Sequence, residues 1–299
     1  MTTFDTLIGE TRNHLMTEQP DRINTLSLSV DNLPTTTTIV FTQDLEGIEK
    51  GSRIEIDQEI MFVLSISGKS AGSNAQVIRA FSNSTIASHN AGAIIRVNPQ
   101  FFNTRIASKI NRCLEGLSGH GLFAVDSYEF TYTPAKAGYE LVVPGFLDVL
   151  SVRYDYPGPL RDWPILLRED YFIDQTANAT DFSSGISLTL RRGGYPGRKV
   201  QVTYKKTYSP LVNLSDDVEL VSGLHATAHE IPPMGAAMRL LYGREIKRSF
   251  LTSQPNPRRA REVPPGSASD SMRGIAGAYY EAIDREVRVL THRYRMQTH

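Results

Sequence analysis

The feature that most limits the fold of this 299-residue chain lies at its carboxyl end. Met272, Ile275, Tyr279, Ile283, Val287, Leu290 and Tyr294 recur at steps of three and four residues. That spacing puts seven apolar side chains on one face of one helix, predicted over 271–295 with Asp270 as its cap. Such a face needs a surface to bury it. Three shorter segments offer one. At 4–17, Phe4, Leu7, Ile8 and Leu15 share a face, and Thr2-x-x-Asp5 reads as a capping box. This segment is only about four turns long and is not stable alone. At 101–117 the stripe is Phe102, Ile106, Ile110, Cys113 or Leu114, and Leu117. Asn98-Pro99 reads as its start, and Gly119 and Gly121 as its stop. At 234–250 the stripe is Met238, Tyr242, Ile246 and Phe250.

Between these rods the texture turns to short strands. Residues 22–98 contain the β-branched run Thr35–Val40, then Ser52–Ile56, Glu59–Ile66, Ala75–Ile78 and Ala93–Val97. Breaks at Gly51, Gly68, Gly72 and Gly92 suit tight turns, so a small barrel or sandwich is expected. Gly68-Lys69-Ser70 resembles the end of a phosphate loop, but Val63 stands where that loop needs glycine, and a hairpin turn is the better reading. Residues 122–212 hold six further candidate strands at the spacing of a sandwich: 127–132, 138–143, 148–154, 171–174, 186–190 and 199–204. The expected fold class is therefore α+β. A helical bundle is built from N-terminal, central and C-terminal helices, with two inserted all-β domains. The segments are 1–21, an N-terminal helix joining the bundle; 22–98, a small barrel or sandwich; 99–121, a bundle helix; 122–222, a β-sandwich; and 223–299, a C-terminal helical segment.

Charge separates the two ends of the chain. Lysines and arginines equal aspartates and glutamates over the whole sequence, yet residues 236–299 carry twelve basic residues against six acids. That end is net +6 and the rest net −6, which suits head-to-tail stacking or an acidic partner. Arg285, Arg288, His292 and Arg295 line up on the last helix away from its apolar stripe. Arg258, Arg259 and Arg261 cluster in the loop before it. These seven are the candidate positions for facing an acidic protein surface or the phosphates of DNA, set against a solvated helix face as the bland reading. The single cysteine excludes an intramolecular disulfide and a Cys-rich zinc site. No apolar run approaches the roughly 18 residues of a membrane span, and the acidic, weakly apolar start does not read as a secretory signal. A soluble protein is expected.

Chemistry has little foothold. His225 and His229 are four apart beside Glu230, but Pro232-Pro233 is expected to end any helix there, so no metal is predicted. Cys113 lies on an apolar stripe and reads as an inert buried thiol. Acid pairs such as Asp57/Glu59 and Asp216/Asp217 say nothing alone about acid–base work. Trp163 with Tyr154, Tyr156 and Tyr171 forms an aromatic group that reads as core and rim more readily than as a sugar platform. The expectation is a protein that is not an enzyme and uses no cofactor.

Two stretches carry a resemblance. Ile56–Gly68 followed by Val77–Ile95, with Glu59, Arg79, Ser84-Thr85, His89 and Gly92 at the matching positions, resembles a β-module of tailed-phage virion proteins. Ala80 and Asn83 stand where that pattern has glycine. The resemblance implies turns and a buried polar pair at these positions, not catalysis. The segment 237–248, the basic Pro/Gly-containing loop after it and the helix around 277–290 resemble the helical part of phage head-to-tail connector adaptors. That resemblance implies a structural virion protein of the neck, made in the host cytoplasm. Its expected assembly is a homo-oligomeric ring, commonly of about twelve copies. The expected partners are the portal protein and tail-side neck proteins, with non-specific DNA in the lumen and no membrane. A tail or baseplate subunit is the first rival, and a glycan-binding sandwich the second.

Overall fold

The computed structural model of the chain describes residues 2–15, 22–32, 36–45, 47–156, 163–191, 195–252 and 267–294. Over these residues the fold is mixed α+β, and it divides into two compact units. The first comprises residues 1–113, 211–217 and 229–282, and the second 114–210, 218–228 and 283–299.

In the first unit, six strands form one antiparallel sheet: β1 (Arg22–Thr25), β2 (Thr36–Val40), β3 (Arg53–Ile56), β4 (Glu59–Ser67), β5 (Asn74–Ile78) and β6 (Ile94–Val97). Their order is β1-β6-β3-β4-β5-β2. The end strands meet again, because Ser27 N–H donates to Val40 O at 2.8 Å and Thr42 N–H donates to Thr25 O at 2.9 Å. The sheet thus curls back on itself, which removes its exposed edges. Alternate residues point inward, and Ile39, Phe41, Ile54, Ile56, Met61, Val63, Val77 and Ile95 fill the interior. Gly68 turns the chain at φ 87° between β4 and β5, where the hairpin turn was expected. The strand β1 was missing from the sequence reading. Only four residues long, it alternates weakly and pairs with β6 from 70 residues away in the chain.

Helix α1 (Phe4–Leu15) buries Phe4, Leu7, Ile8 and Leu15 as its spacing predicts, and it packs along α3 (Ile231–Thr252). Its cap is Thr3 rather than Thr2, since Thr3 Oγ1 accepts from Thr6 N–H at 3.3 Å. Helix α2 (Asn103–Leu117) starts later than the Asn98-Pro99 signal suggested. Asn98 instead takes a left-handed φ of 46°, and its Oδ1 accepts from Arg53 N–H at 2.8 Å. Two further corrections concern proline and aspartate. Pro232-Pro233 occupy the first turn of α3, where missing N–H groups cost nothing, so they open a helix instead of ending one. The last helix, α4 (Ser267–Arg293), begins three residues before Asp270, which lies inside the helix rather than capping it.

The buried face of α3 also departs from expectation. Ile231 through Ala237 are all buried, followed by Leu240 and Leu241, while Tyr242 is 60% exposed. Small residues explain this: Gly235 sits so close to its neighbours that an added Cβ would overlap Cys113 Sγ of α2 and come within 2.8 Å of the Tyr279 ring of α4. Close approach of this kind buries a helix on several sides rather than along one stripe. On α4 every member of the predicted stripe is buried or half-buried.

In the second unit, β7 (Ala124–Thr131), β9 (Phe146–Tyr154) and β12 (Lys199–Lys206) form one antiparallel sheet in the order β7-β12-β9. A second sheet joins β10 (Tyr171–Asp174), β11 (Ser187–Leu190) and the short β8 (Tyr139–Glu140). The two sheets share one apolar cluster that includes Leu141, Val149, Val152, Tyr171, Leu188, Val200 and Val202. Also within this unit, Phe123 and Tyr294 lie 6.3 Å apart, ring to ring.

Candidate functional site

The densest buried polar network closes one part of the six-stranded sheet. A two-residue turn, Asp57-Gln58, joins β3 to β4, and Asp57 adopts φ 55°, a left-handed conformation that Asp tolerates. Glu59 follows at the first position of β4, fully buried. Arg79, just past β5, meets it side-on: Nε donates to Glu59 Oε1 and Nη2 to Oε2, both at 2.6 Å. The rest of the guanidinium satisfies backbone carbonyls, Nη1 that of Asp31 at 2.7 Å and Nη2 that of Ala87. Glu59 also accepts from Ala80 N–H and Ala87 N–H, both at 3.1 Å.

His89 completes the network. Its Nε2 lies 2.9 Å from Glu59 Oε2 and its Nδ1 2.7 Å from Asp57 Oδ2. Both ring nitrogens face carboxylate oxygens, so both must donate, and the ring is an imidazolium. Burial pulls the His89 pKa down, but the hydrogen bonds and charges of Asp57 and Glu59 outweigh it and raise the pKa above its ordinary value. For Glu59, burial pushes the pKa up, and the donors Arg79, His89, Ala87 and Ala80 together hold it down at about 2. Two buried cations thus meet one buried carboxylate, Glu59, and one half-exposed carboxylate, Asp57. The His89 backbone in turn pairs with Val30 in both directions at 2.8 Å. The network ties the β3–β4 turn, the β5 exit, the 81–89 loop and residues 30–31 into one clasp.

Between Arg79 and His89 the backbone is unusual. Ala80, Ser82 and Asn83 have φ values of 52°, 58° and 63°. Ser84 then caps the loop: its Oγ accepts from Ile60 N–H at 2.9 Å and donates to Phe81 O at 3.0 Å.

A second buried cluster sits on the other side of the same turn. Arg12 of α1 donates through Nε and Nη2 to Asn103 Oδ1, at 3.1 and 2.6 Å, and its Nη2 lies 3.4 Å from Glu55 Oε2. Asn103 Nδ2 donates to Asp57 O at 2.6 Å, and Thr104 Oγ1 donates to Gln58 O at 3.1 Å. Burial pushes the Glu55 carboxyl up to about 7, against the pull of the Asn103 backbone N–H and Arg12. Neither Arg12, Glu55 nor Asn103 was singled out in the sequence. The available signal was the Ile54-Glu55-Ile56 run, a charge between two inward-facing residues at a strand end. Asp57 was noted only as half of an ordinary acid pair, whereas Glu59 also stood out through the resemblance.

The predicted basic positions are distributed differently. Arg285, Arg288 and His292 are exposed on α4. Arg258, Arg259, Arg261 and Arg295 lie outside the described residues. Cys113 is buried beside Tyr279 Oη at 3.5 Å, and burial raises its pKa. His225 Nδ1 engages Thr227 Oγ1 at 3.0 Å, and the described residues contain no group of three His, Cys, Asp or Glu side chains placed to hold a metal ion. The aromatic group is re-drawn: Tyr171 belongs to the sheet core, whereas Tyr195 joins Tyr154 and Tyr156, with ring centres 6.3 and 5.3 Å away. The second unit also holds a cavity of about 130 Å³ beside Tyr208, His225, Glu286 and Arg293. Glu286 is buried there and accepts from Thr227 Oγ1 at 2.9 Å. No described helix is long and apolar enough to cross a membrane.

Comparison with known proteins adds no family. No protein-family model matches the chain, and no curated protein matches it in sequence.

Proposed function

We propose that the chain is a structural virion protein, a head-to-tail connector adaptor that closes a ring of about twelve copies between portal and tail, with DNA passing through its lumen. In this reading α1, α2, α3 and α4 make a bundle, and the two β segments, 22–98 and 122–222, are outgrowths of it. It acts by assembly and not by catalysis.

The observation that carries this reading is the conformation of residues 79–92. The phage β-module calls for glycine at positions 80 and 83, and Ala80 and Asn83 hold the left-handed backbone that glycine adopts readily. It calls for a buried polar pair, and Glu59 meets Arg79 at 2.6 Å with both side chains fully buried. Neither property follows from composition or from strand periodicity. Further support comes from the packing of α2, α3 and α4 around Gly235, with α1 along α3, because rods far apart in sequence are thereby brought together. The exposed Arg285, Arg288 and His292 and the net +6 of residues 236–299 suit a partner of opposite charge. The same turn conformations suit a tail or baseplate subunit that carries the module, and copy number separates the two.

The test is assembly. The purified chain is mixed with its portal ring and imaged by negative stain, with light scattering of the mixture. Added density on the portal supports the adaptor. A strictly monomeric chain that leaves portal rings bare contradicts it.

A further inference from the structure

Two buried polar groups of the second unit face one cavity and lack a full set of partners. Glu286 of α4 and Tyr208, just past β12, are each only 5% exposed. Glu286 Oε2 accepts from Thr227 Oγ1 at 2.9 Å, whereas its Oε1 and the Tyr208 hydroxyl bond to no protein group. Among the described residues, the wholly sealed side-chain atoms without a partner are Glu55 Oε1 and Arg239 Nη1 alone. The open atoms of Glu286 and Tyr208 are therefore within reach of the cavity that both residues line. Its volume, about 130 Å³, is close to the roughly 150 Å³ of a cavity that takes up benzene, so a molecule of a few heavy atoms fits.

The chemistry left open is that of an acceptor. A carboxylate taken out of water and met by one neutral hydroxyl is unfavourable until a cation or further donors reach it. The nearby cations of the chain do not fill that role. Arg293 lines the same cavity two turns along α4 without an ion pair to Glu286, and Lys205 holds its Nζ over the Phe123 ring at 4.7 Å. Burial and then the charge of Glu286 raise the Tyr208 pKa, so the hydroxyl keeps its proton and its lone pairs remain to accept. His225 and Glu219 also line the cavity, but the described residues hold no group of three such side chains placed for a metal ion. Leu122 and Leu290 add an apolar wall. A small cation with several N–H donors and an apolar stem satisfies all of these surfaces.

We propose that this cavity binds a primary ammonium group on a short alkyl stem, with Glu286 Oε1 and Tyr208 Oη as its acceptors. A free amine and the tip of a lysine side chain from a second copy share that chemistry. The site lies within one unit of one chain, so it stands apart from the ring reading and serves a ring subunit and a monomer alike.

The probe is ethylammonium, titrated into the full-length chain and followed by thermal shift and by ligand-observed saturation-transfer NMR. Two controls run at equal ionic strength: tetramethylammonium, a cation without N–H donors, and acetate, an anion suited to Arg293. A saturable response to ethylammonium alone is expected. Glu286→Gln is expected to weaken it at least about tenfold and Tyr208→Phe about threefold. Tyr208→Phe keeps the ring in place, so it gives an answer even where the buried Glu286→Gln fails to fold. Arg293→Ala, at an exposed position, removes a like charge and is expected to leave binding equal or tighter. Sedimentation velocity identifies the source. Self-association that ethylammonium disperses assigns the ammonium to a lysine of a second copy; an unchanged mass assigns it to a free amine. No response to ethylammonium, an equal response to either control, full binding in Tyr208→Phe, or lost binding in Arg293→Ala overturns the proposal.

Discussion

Residues 55, 59, 80 and 89 carry charges and conformations that an unfolded chain does not hold, and each leaves a measurable mark. Glu59 is held at about 2, below its ordinary 4.5, so its contribution is present above pH 4.5 and lost as pH falls toward 2. Glu55 and His89 act in the opposite sense. The folded pKa of each is raised, so the folded state binds the extra proton, and stability falls as pH climbs through that value. For Glu55 the window runs from 4.5 to about 7 and the loss is on the order of 3 kcal/mol. Thermal melts across pH 3–8 are therefore expected to peak near pH 5 and decline toward pH 8, with a visibly shallower decline in Glu55→Gln. A profile that rises from pH 5 to pH 8 contradicts this assignment of charges. Ala80 gives a second prediction at this scale. Its φ of 52° strains a residue with a Cβ, so Ala80→Gly is expected to stabilise the protein by about 1 kcal/mol in urea denaturation. A destabilised Ala80→Gly protein would mean that the side chain packs more favourably than the backbone is strained.

At the level of elements, the contact among α2, α3 and α4 at Gly235 is the most sensitive point. Gly235→Ala drives a methyl group into Cys113 Sγ and the Tyr279 ring, and overpacking of this kind costs about 1–3 kcal/mol. Adding Cys113→Ala is expected to restore part of the loss, and a double-mutant cycle in equilibrium denaturation reads the coupling. Strict additivity would separate the two sites and refute the contact. This region also marks what the sequence could disclose. The α4 stripe was legible because seven residues repeat on one face. The α3 face was not, because small residues let neighbours approach from several sides, and Tyr242 ended up outside. Strands with clear alternation, such as β4 and β12, were readable to within a few residues, while β1 depends on a partner 70 residues distant. The clasp was half legible. Glu59, Arg79 and His89 stood out through resemblance, but Asp57 and the Arg12–Glu55–Asn103 cluster depend on how a turn meets two helices, which no spacing rule encodes. Pro232-Pro233 misled because the same residue type that stops a helix also opens one.

For the whole molecule, we propose that the curled six-stranded sheet of the first unit and the paired three-stranded sheets of the second serve assembly. On that proposal, charge polarity along the chain would give the assembly a direction, and heterologous contacts between identical copies would close into a ring if their rotation allows. Such a role predicts a fixed stoichiometry rather than a turnover number. The most direct measurement is the copy number of this chain in purified virus particles, by quantitative mass spectrometry against the portal protein. A connector ring predicts about twelve copies per particle, equal to the portal. Three or six copies, or absence from the particle, contradicts it.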